Sequence, residues 1–182
     1  DNEYYLDHDF YGNENAGGTV FIDAAGADRG VRQFEIYYGH NMRNGSMFGR
    51  LDEYMDLAYL KENWLVTYYS VYNNEVRNYV PFAVIDASMD SDNEHYFNLR
   101  RFDVFYEPTD PESVAAFIGE LQERSMYYFE GVDVSADDKI ICLVTCTYIL
   151  PNARLMVFCR ELRSDETADD MNRLVNEGAA RK

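Results

Sequence analysis

The sequence predicts a mainly β domain that closes into a barrel, with short helices in its connections. Three observations carry this. The chain holds 16 Tyr and 11 Phe against one Trp, and they alternate with polar residues along several segments, which favours strands over helices. Strand-like stretches recur from end to end, and sheets with this many strands usually close on themselves. A length of 182 residues is enough for one domain with a sizeable core, so no internal boundary is needed.

The elements follow in order. Residues 1–15 mix aromatics with turn formers and read as an irregular lead-in. Gly17-Gly18 punctuates before the short buried strand Thr19-Val20-Phe21-Ile22. Gln33 to Tyr38 is a second strand, apolar at Phe34, Ile36 and Tyr38, and it runs into Gly39-His40; the glycine lets the backbone turn sharply. Asn44-Gly45 is a turn. Leu51, Tyr54, Met55 and Ala58 recur at helical intervals and predict a short amphipathic helix over Leu51 to Leu60. Trp64 to Tyr72 and Val76 to Ala87 are strands around an Asn73-Asn74 hairpin turn.

Phe97 to Tyr106 is a further strand candidate, ended by Pro108 and Pro111. Asp110-Pro111-Glu112 pairs a capping residue with a proline at the first helical position. The helix it opens, Glu112 to Tyr127, places Val114, Phe117, Ile118 and Leu121 on one face. Lys139 to Cys146 and Arg154 to Leu162 are apolar strands around a loop holding Pro151-Asn152. From Ser164 the chain is charged, with a short frayed helix over Thr167 to Asn176. The domain therefore spans residues 1–163, and residues 164–182 form a solvated tail.

Thirty-three acidic residues against 16 basic ones give a formal charge of −17. That balance argues against nucleic-acid binding, which rests on Lys and Arg meeting phosphates. No run of 18 apolar residues is present to span a bilayer. The sequence begins at Asp1 without Met or a signal-like segment, so a membrane anchor, if the protein has one, is expected upstream of it. Three cysteines are an odd number. Cys142 and Cys146 would stand roughly 13 Å apart on one strand, too far for a disulfide.

Three residues could do chemistry together. Cys146 closes an apolar strand, His40 follows another strand end, and Arg154 opens the strand after Cys146. They offer a nucleophilic thiolate, a group that carries protons near neutral pH, and a fixed cation for a developing oxyanion. Taken singly, each has a plainer reading. Cys146 could be a buried small hydrophobe, His40 a turn residue and Arg154 an edge charge.

The flanking residues add a resemblance. Tyr38-Gly39-His40-Asn41-Met42 with Asn44-Gly45-Ser46-Met47-Phe48-Gly49 resembles the histidine segment of class B sortases. Leu143-Val144-Thr145-Cys146-Thr147-Tyr148 resembles their nucleophile strand, and Ala153-Arg154-Leu155-Met156-Val157 their arginine strand. Asn2-Glu3-Tyr4-Tyr5-Leu6-Asp7-His8 resembles the start of their catalytic domain. The order His, Cys, Arg also matches, and the resemblance runs from Asn2 to Leu162. One departure is Cys142, where the family's strand usually begins with Thr.

The resemblance implies a closed sortase-type barrel with a helix between its sixth and seventh strands. It implies a cysteine transpeptidase at the extracellular face of a Gram-positive cell membrane. Cys146 would attack the Thr carbonyl of a C-terminal sorting signal and form a thioacyl enzyme. His40 would act as acid and base, and Arg154 would stabilise the oxyanion beside backbone N–H groups near Cys146. A peptidoglycan precursor amine would accept the acyl group. The implied peptide groove maps onto Asn2, Leu6, Tyr38, Thr145, Tyr96 and Phe97. No step needs a metal or an organic cofactor, and no loop clusters the oxygen ligands that calcium prefers.

Other readings stay open. A pilin polymerase of the same fold would take its amine from a Lys of another subunit. A catalytically idle domain could keep only the peptide groove. A papain-like hydrolase would carry its Cys early and its His late, the reverse of the order here.

Overall fold

The computed structural model describes residues 2–29, 33–106, 110–147, 149 and 152–181. Its strands are β1 (Phe21–Ile22), β2 (Phe34–Tyr38), β3 (Val66–Ser70), β4 (Glu75–Ser88), β5 (Tyr127–Tyr128), β6 (Ile140–Cys146), β7 (Ala153–Glu161) and β8 (Ala179–Ala180). The helices are α1 (Ala24–Arg29), α2 (Leu57–Glu62), α3 (Asp103–Tyr106), α4 (Pro111–Arg124) and α5 (Ala168–Glu177). Six strands form one curled sheet in the order β1-β2-β6-β7-β4-β3, while β5 and β8 pair separately.

The mainly β class holds, but the hydrogen-bonded ladder does not close into a full barrel. β1 and β3 are the two edges of the six-stranded sheet and do not pair with each other. Nor does the long helix follow the sixth strand of this chain. α4 comes after β4 and before β5. All pairings in the large sheet are antiparallel except β2 with β6. That parallel pair sets the site, because it brings the C-terminal ends of β2 and β6 to the same rim.

Phe97 to Tyr106 is not a strand. Leu99–Phe102 forms a 3₁₀ turn that runs into α3, and the Asn98 side chain accepts from the Arg100 N–H. Phe102, Phe105 and Tyr106 are all buried. Their i, i+3, i+4 spacing is helical and outweighs the aromatic preference for strands. The Phe34 ring stacks on Phe105 at 4.1 Å between centroids, beside Phe102.

Leu51 to Leu60 is two pieces, because Asp56 is extended at φ −97°, ψ 117° and caps α2 through Ala58 N–H. The 3₁₀ segment Leu51–Met55 precedes it. The hairpin between β3 and β4 is present, with Asn74 at φ 54°. In α4, Asp110 accepts from Ser113 N–H at 2.7 Å and Pro111 takes the first turn. Val114, Phe117, Ile118 and Leu121 are buried, on the face the sequence marks. The helix stops at Arg124 because Ser125 turns out and receives the Val84 N–H, freeing Tyr127 to pair with Ala180. Pro108, Tyr148 and Pro151 lie outside the described residues.

The segment after Ser164 is docked rather than solvated. α5 buries Met171 and Val175, four residues apart on one face, each contributing about 1.5–3 kcal/mol. Thr167 caps it at Asp170 N–H. Glu166 receives both arms of the buried Arg160 guanidinium at 2.6 Å. The high charge of the tail masks these anchors in the sequence.

Candidate active site

β6 and β7 run antiparallel with Cys146 opposite Arg154. The next pair carries a backbone bond, Thr147 N–H to Ala153 C=O at 3.1 Å. Cys146 and Arg154 are therefore the non-hydrogen-bonded kind of pair, in which facing side chains approach most closely and share one side of the sheet. β2 adds Tyr38 beside Val144 on its parallel partner. Gly39 N–H then bonds Val144 C=O at 3.1 Å, which sets His40 at the same rim.

Gly39 serves close packing rather than a turn. A Cβ there would sit 2.8 Å from the Phe48 ring. Phe48 N–H returns to His40 C=O at 3.0 Å and closes the loop behind the histidine. Asn41 fastens that loop to the thiol strand by donating Nδ2 to Cys146 C=O at 3.0 Å. His40 Nε2 lies 2.7 Å from Leu6 C=O.

His40, Cys146 and Arg154 line one groove of about 300 Å³ together with Asn2, Leu6, Tyr38 and Thr145. Phe21, Val144 and Leu99 complete an apolar floor that the sequence reading missed. Cys146 is half-buried; Cys142 and Cys159 are buried, and all three thiols are free. Burial pushes the Cys142 and Cys159 thiols well up, so neither ionises readily. Arg154 donates to Ala153 C=O at 3.0 Å and, among the described residues, has no carboxylate partner. An unneutralised guanidinium opposite a thiol suits a developing anion.

Three expected roles change. Thr145 is 2% exposed and its hydroxyl is engaged with Gly39 C=O at 2.7 Å, so it braces the His40 strand. Thr147 N–H is taken by Ala153 C=O, so it is not a free oxyanion donor. Tyr96 and Phe97 stand apart from the groove. Phe97 is 1% exposed, among Phe102 and Phe117, because the helical turn after it turns its ring into the core. Tyr96 lines a separate hollow with Glu120 and Arg124, and its carbonyl accepts from Arg124.

Asp23 is a contributor the sequence reading missed. It is buried and receives Asn2 Nδ2 at 2.9 Å, the Ala25 and Gly26 N–H groups, and Tyr106 Oη at 3.2 Å. Asn2 also accepts from Ala24 N–H at 2.8 Å. Asp ahead of Ala24-Ala25 is a capping signal that could have found it. Burial first, and the Asp23 charge second, hold the Tyr38 phenol protonated far above its ordinary range.

No protein-family model matches the chain. A curated relative, sortase B of Listeria monocytogenes, is 33% identical over 147 residues, which is 80% of this chain and 54% of the relative. The solved sortase B of Clostridium perfringens superposes with a TM-score of 0.73 at 25% identity, over 90% of this chain and 83% of that one. The solved Listeria monocytogenes sortase B gives 0.70 at 28% identity, over 89% and 82%.

The curled sheet and its rim groove thus define a sortase-type domain. Its curated and solved relatives are class B sortases, and the chain is similar to them over most of its length. It spans a little over half the length of the curated relatives it matches.

Proposed function

We propose that this domain is a cysteine transpeptidase that cleaves a C-terminal sorting signal after Thr and passes the acyl group to a cell-wall precursor amine. The observation that carries this is the facing pair of Cys146 and Arg154 on one rim with His40. The Cys146 thiolate adds to the Thr carbonyl, and Arg154 balances the oxyanion. As the C–N bond breaks, His40 gives its proton to the leaving amine and a thioester remains. The incoming amine then adds to the thioester carbonyl, His40 takes its proton, and the thiolate departs. The apolar floor and the Asn2–Leu6 segment hold the peptide, with Tyr38 as a neutral hydroxyl. Staphylococcus aureus sortase B, which shares this fold at 19% identity, has been solved as a substrate complex. A further sortase B of 20% identity has been solved in complex with triglycine.

The domain works at the outer face of the cell membrane. Among the described residues no helix is long and apolar enough to cross a membrane.

The test is intact-protein mass spectrometry after incubation with a pentapeptide library. An acyl adduct on Cys146 that disappears on adding triglycine or a Lys-bearing peptide supports the reading, and the amine preferred separates wall anchoring from pilus assembly. No adduct with any signal peptide overturns it.

A further inference from the structure

His40 has no carboxylate to orient it: among the described residues its ring takes part in no ion pair, and its Nε2 meets a main-chain carbonyl, Leu6 C=O, at 2.7 Å. A carbonyl oxygen only accepts, so Nε2 must carry the proton of that bond. A neutral imidazole has one N–H. Fixing it at Nε2 leaves Nδ1 as the nitrogen with a free lone pair, and it is the second ring position that decides proton transfer.

The Leu6 carbonyl is itself held from two sides. Asn2 is bonded to Asp23 and to Ala24 N–H, tying the chain just ahead of the Tyr4–Leu6 turn to the start of α1. Behind it, Thr19 N–H donates to Tyr5 C=O at 3.0 Å, and the Tyr5 ring stacks near Phe21 at 5.8 Å. Between these ties lies Gly18, buried at φ +53°. A Cβ on Gly18 would sit 2.4 Å from Tyr5 O, 2.6 Å from Leu6 O and 2.8 Å from Leu6 C. These atoms are backbone and cannot swing aside. Only glycine lets the Tyr5–Leu6 peptide come this close, and the carbonyl that would be displaced is the one that holds His40.

We propose that Gly18 is a positioning residue for His40. It seats the Leu6 carbonyl, which fixes the neutral imidazole in the Nε2–H form and assigns Nδ1 to exchange protons with Cys146 and the substrate amines. This deepens the transpeptidase reading and rests on it for the role of Nδ1, whereas the tautomer itself does not.

Nitrogen-15 NMR of His-labelled protein, recorded where His40 is neutral and without substrate, reads the tautomer directly. His40→Gln assigns its signals against those of His8 and His95. We expect a protonated Nε2 and an unprotonated Nδ1 in the parent. In Gly18→Ala, we expect the two shifts to move toward the averaged values of a mixed population. Peptide cleavage in that variant should lose roughly 10- to 100-fold in kcat, the scale of a 1 Å misplacement, with KM changed less. A parent that is mainly Nδ1–H or an even mixture overturns the proposal, and that measurement decides even if Gly18→Ala fails to fold. So does a folded Gly18→Ala that keeps both the tautomer and kcat. A parent with the Nε2–H form but no acyl transfer would sink the transpeptidase reading and leave the seating of His40 intact.

Discussion

Asn41 and Cys146 are joined by a hydrogen bond from side-chain amide to main-chain carbonyl, 3.0 Å long. It ties the residue next to His40 to the residue that bears the thiol. The same amide lies 3.4 Å from Asp52 Oδ2, linking both to the 3₁₀ segment behind the loop. Asn41→Ala should cost about 1 kcal/mol in urea unfolding, the usual net worth of one such bond. Cleavage should fall further, by roughly tenfold or more, because thiol and imidazole lose their common anchor. Equal, small losses in both assays would reduce Asn41 to ordinary packing.

The thiols should sort by burial. In the folded protein, iodoacetamide should label Cys146 and spare Cys142 and Cys159, whose ionisation burial opposes. Cys146→Ala should abolish cleavage and transfer, while Cys142→Ala and Cys159→Ala keep most activity at some cost in stability. Peptide mapping of the labelled protein checks the first claim. Full turnover by the Cys146 variant would end the proposed chemistry.

Arg154 faces Cys146 and, among the described residues, has no carboxylate to neutralise it. Lysine there keeps the charge but loses the planar fork of donors. Arg154→Lys should lower kcat by on the order of 100-fold, the scale of a lost oxyanion contact. Parent-like turnover would make Arg154 an edge charge.

Acid should loosen the C-terminal segment. Burial raises the Glu166 carboxyl, but hydrogen bonds from Arg160 and the Arg163 N–H outweigh it and hold the group below its ordinary value. At Asp138, burial is likewise outweighed by Arg163 and the Ser135 N–H. Both groups bind protons less readily folded than unfolded. Their stabilisation is therefore complete above the ordinary carboxylate range of roughly 4 and is lost as pH falls through the lowered folded values. The melting temperature should drop steeply below about pH 4.5. Glu166→Ala leaves the buried Arg160 with the Asp133 and Glu161 carbonyls and only a 3.9 Å approach to the Asp133 carboxylate; it should cost about 3 kcal/mol at neutral pH and flatten that acid limb. An unchanged limb would place the acid sensitivity elsewhere.

The catalytic candidates were legible because short words around His40, Cys146 and Arg154 survive intact and fall at strand ends. Strand period and the Asp110-Pro111 cap gave most of β2, β4, β6, β7 and α4. Phe97 to Tyr106 misled because aromatic composition points to strands, whereas the spacing of Phe102, Phe105 and Tyr106 points to a helix. Asp56 interrupted a helical pattern whose apolar positions ran straight across it. What stayed hidden was held by main-chain atoms. Neither the Leu6 carbonyl on His40 nor the Ala153 carbonyl on Thr147 leaves a mark on residue type, and the two anchors of α5 are lost among its charges.

The parallel pairing of β2 with β6 also fixes an order in time. Asn41 and Cys146 are 105 positions apart in the chain, and β6 lies between β2 and β7 in the sheet. Chain growth from the N-terminus therefore presents the histidine strand long before its neighbour exists. Contacts of such long range form slowly, leaving the β2 edge unpaired in the interval. A nascent or C-terminally clipped chain holds a histidine without a thiol in place. The groove is complete only once β6 has docked beside β2, so histidine and thiol come together through a contact that spans more than half of the chain.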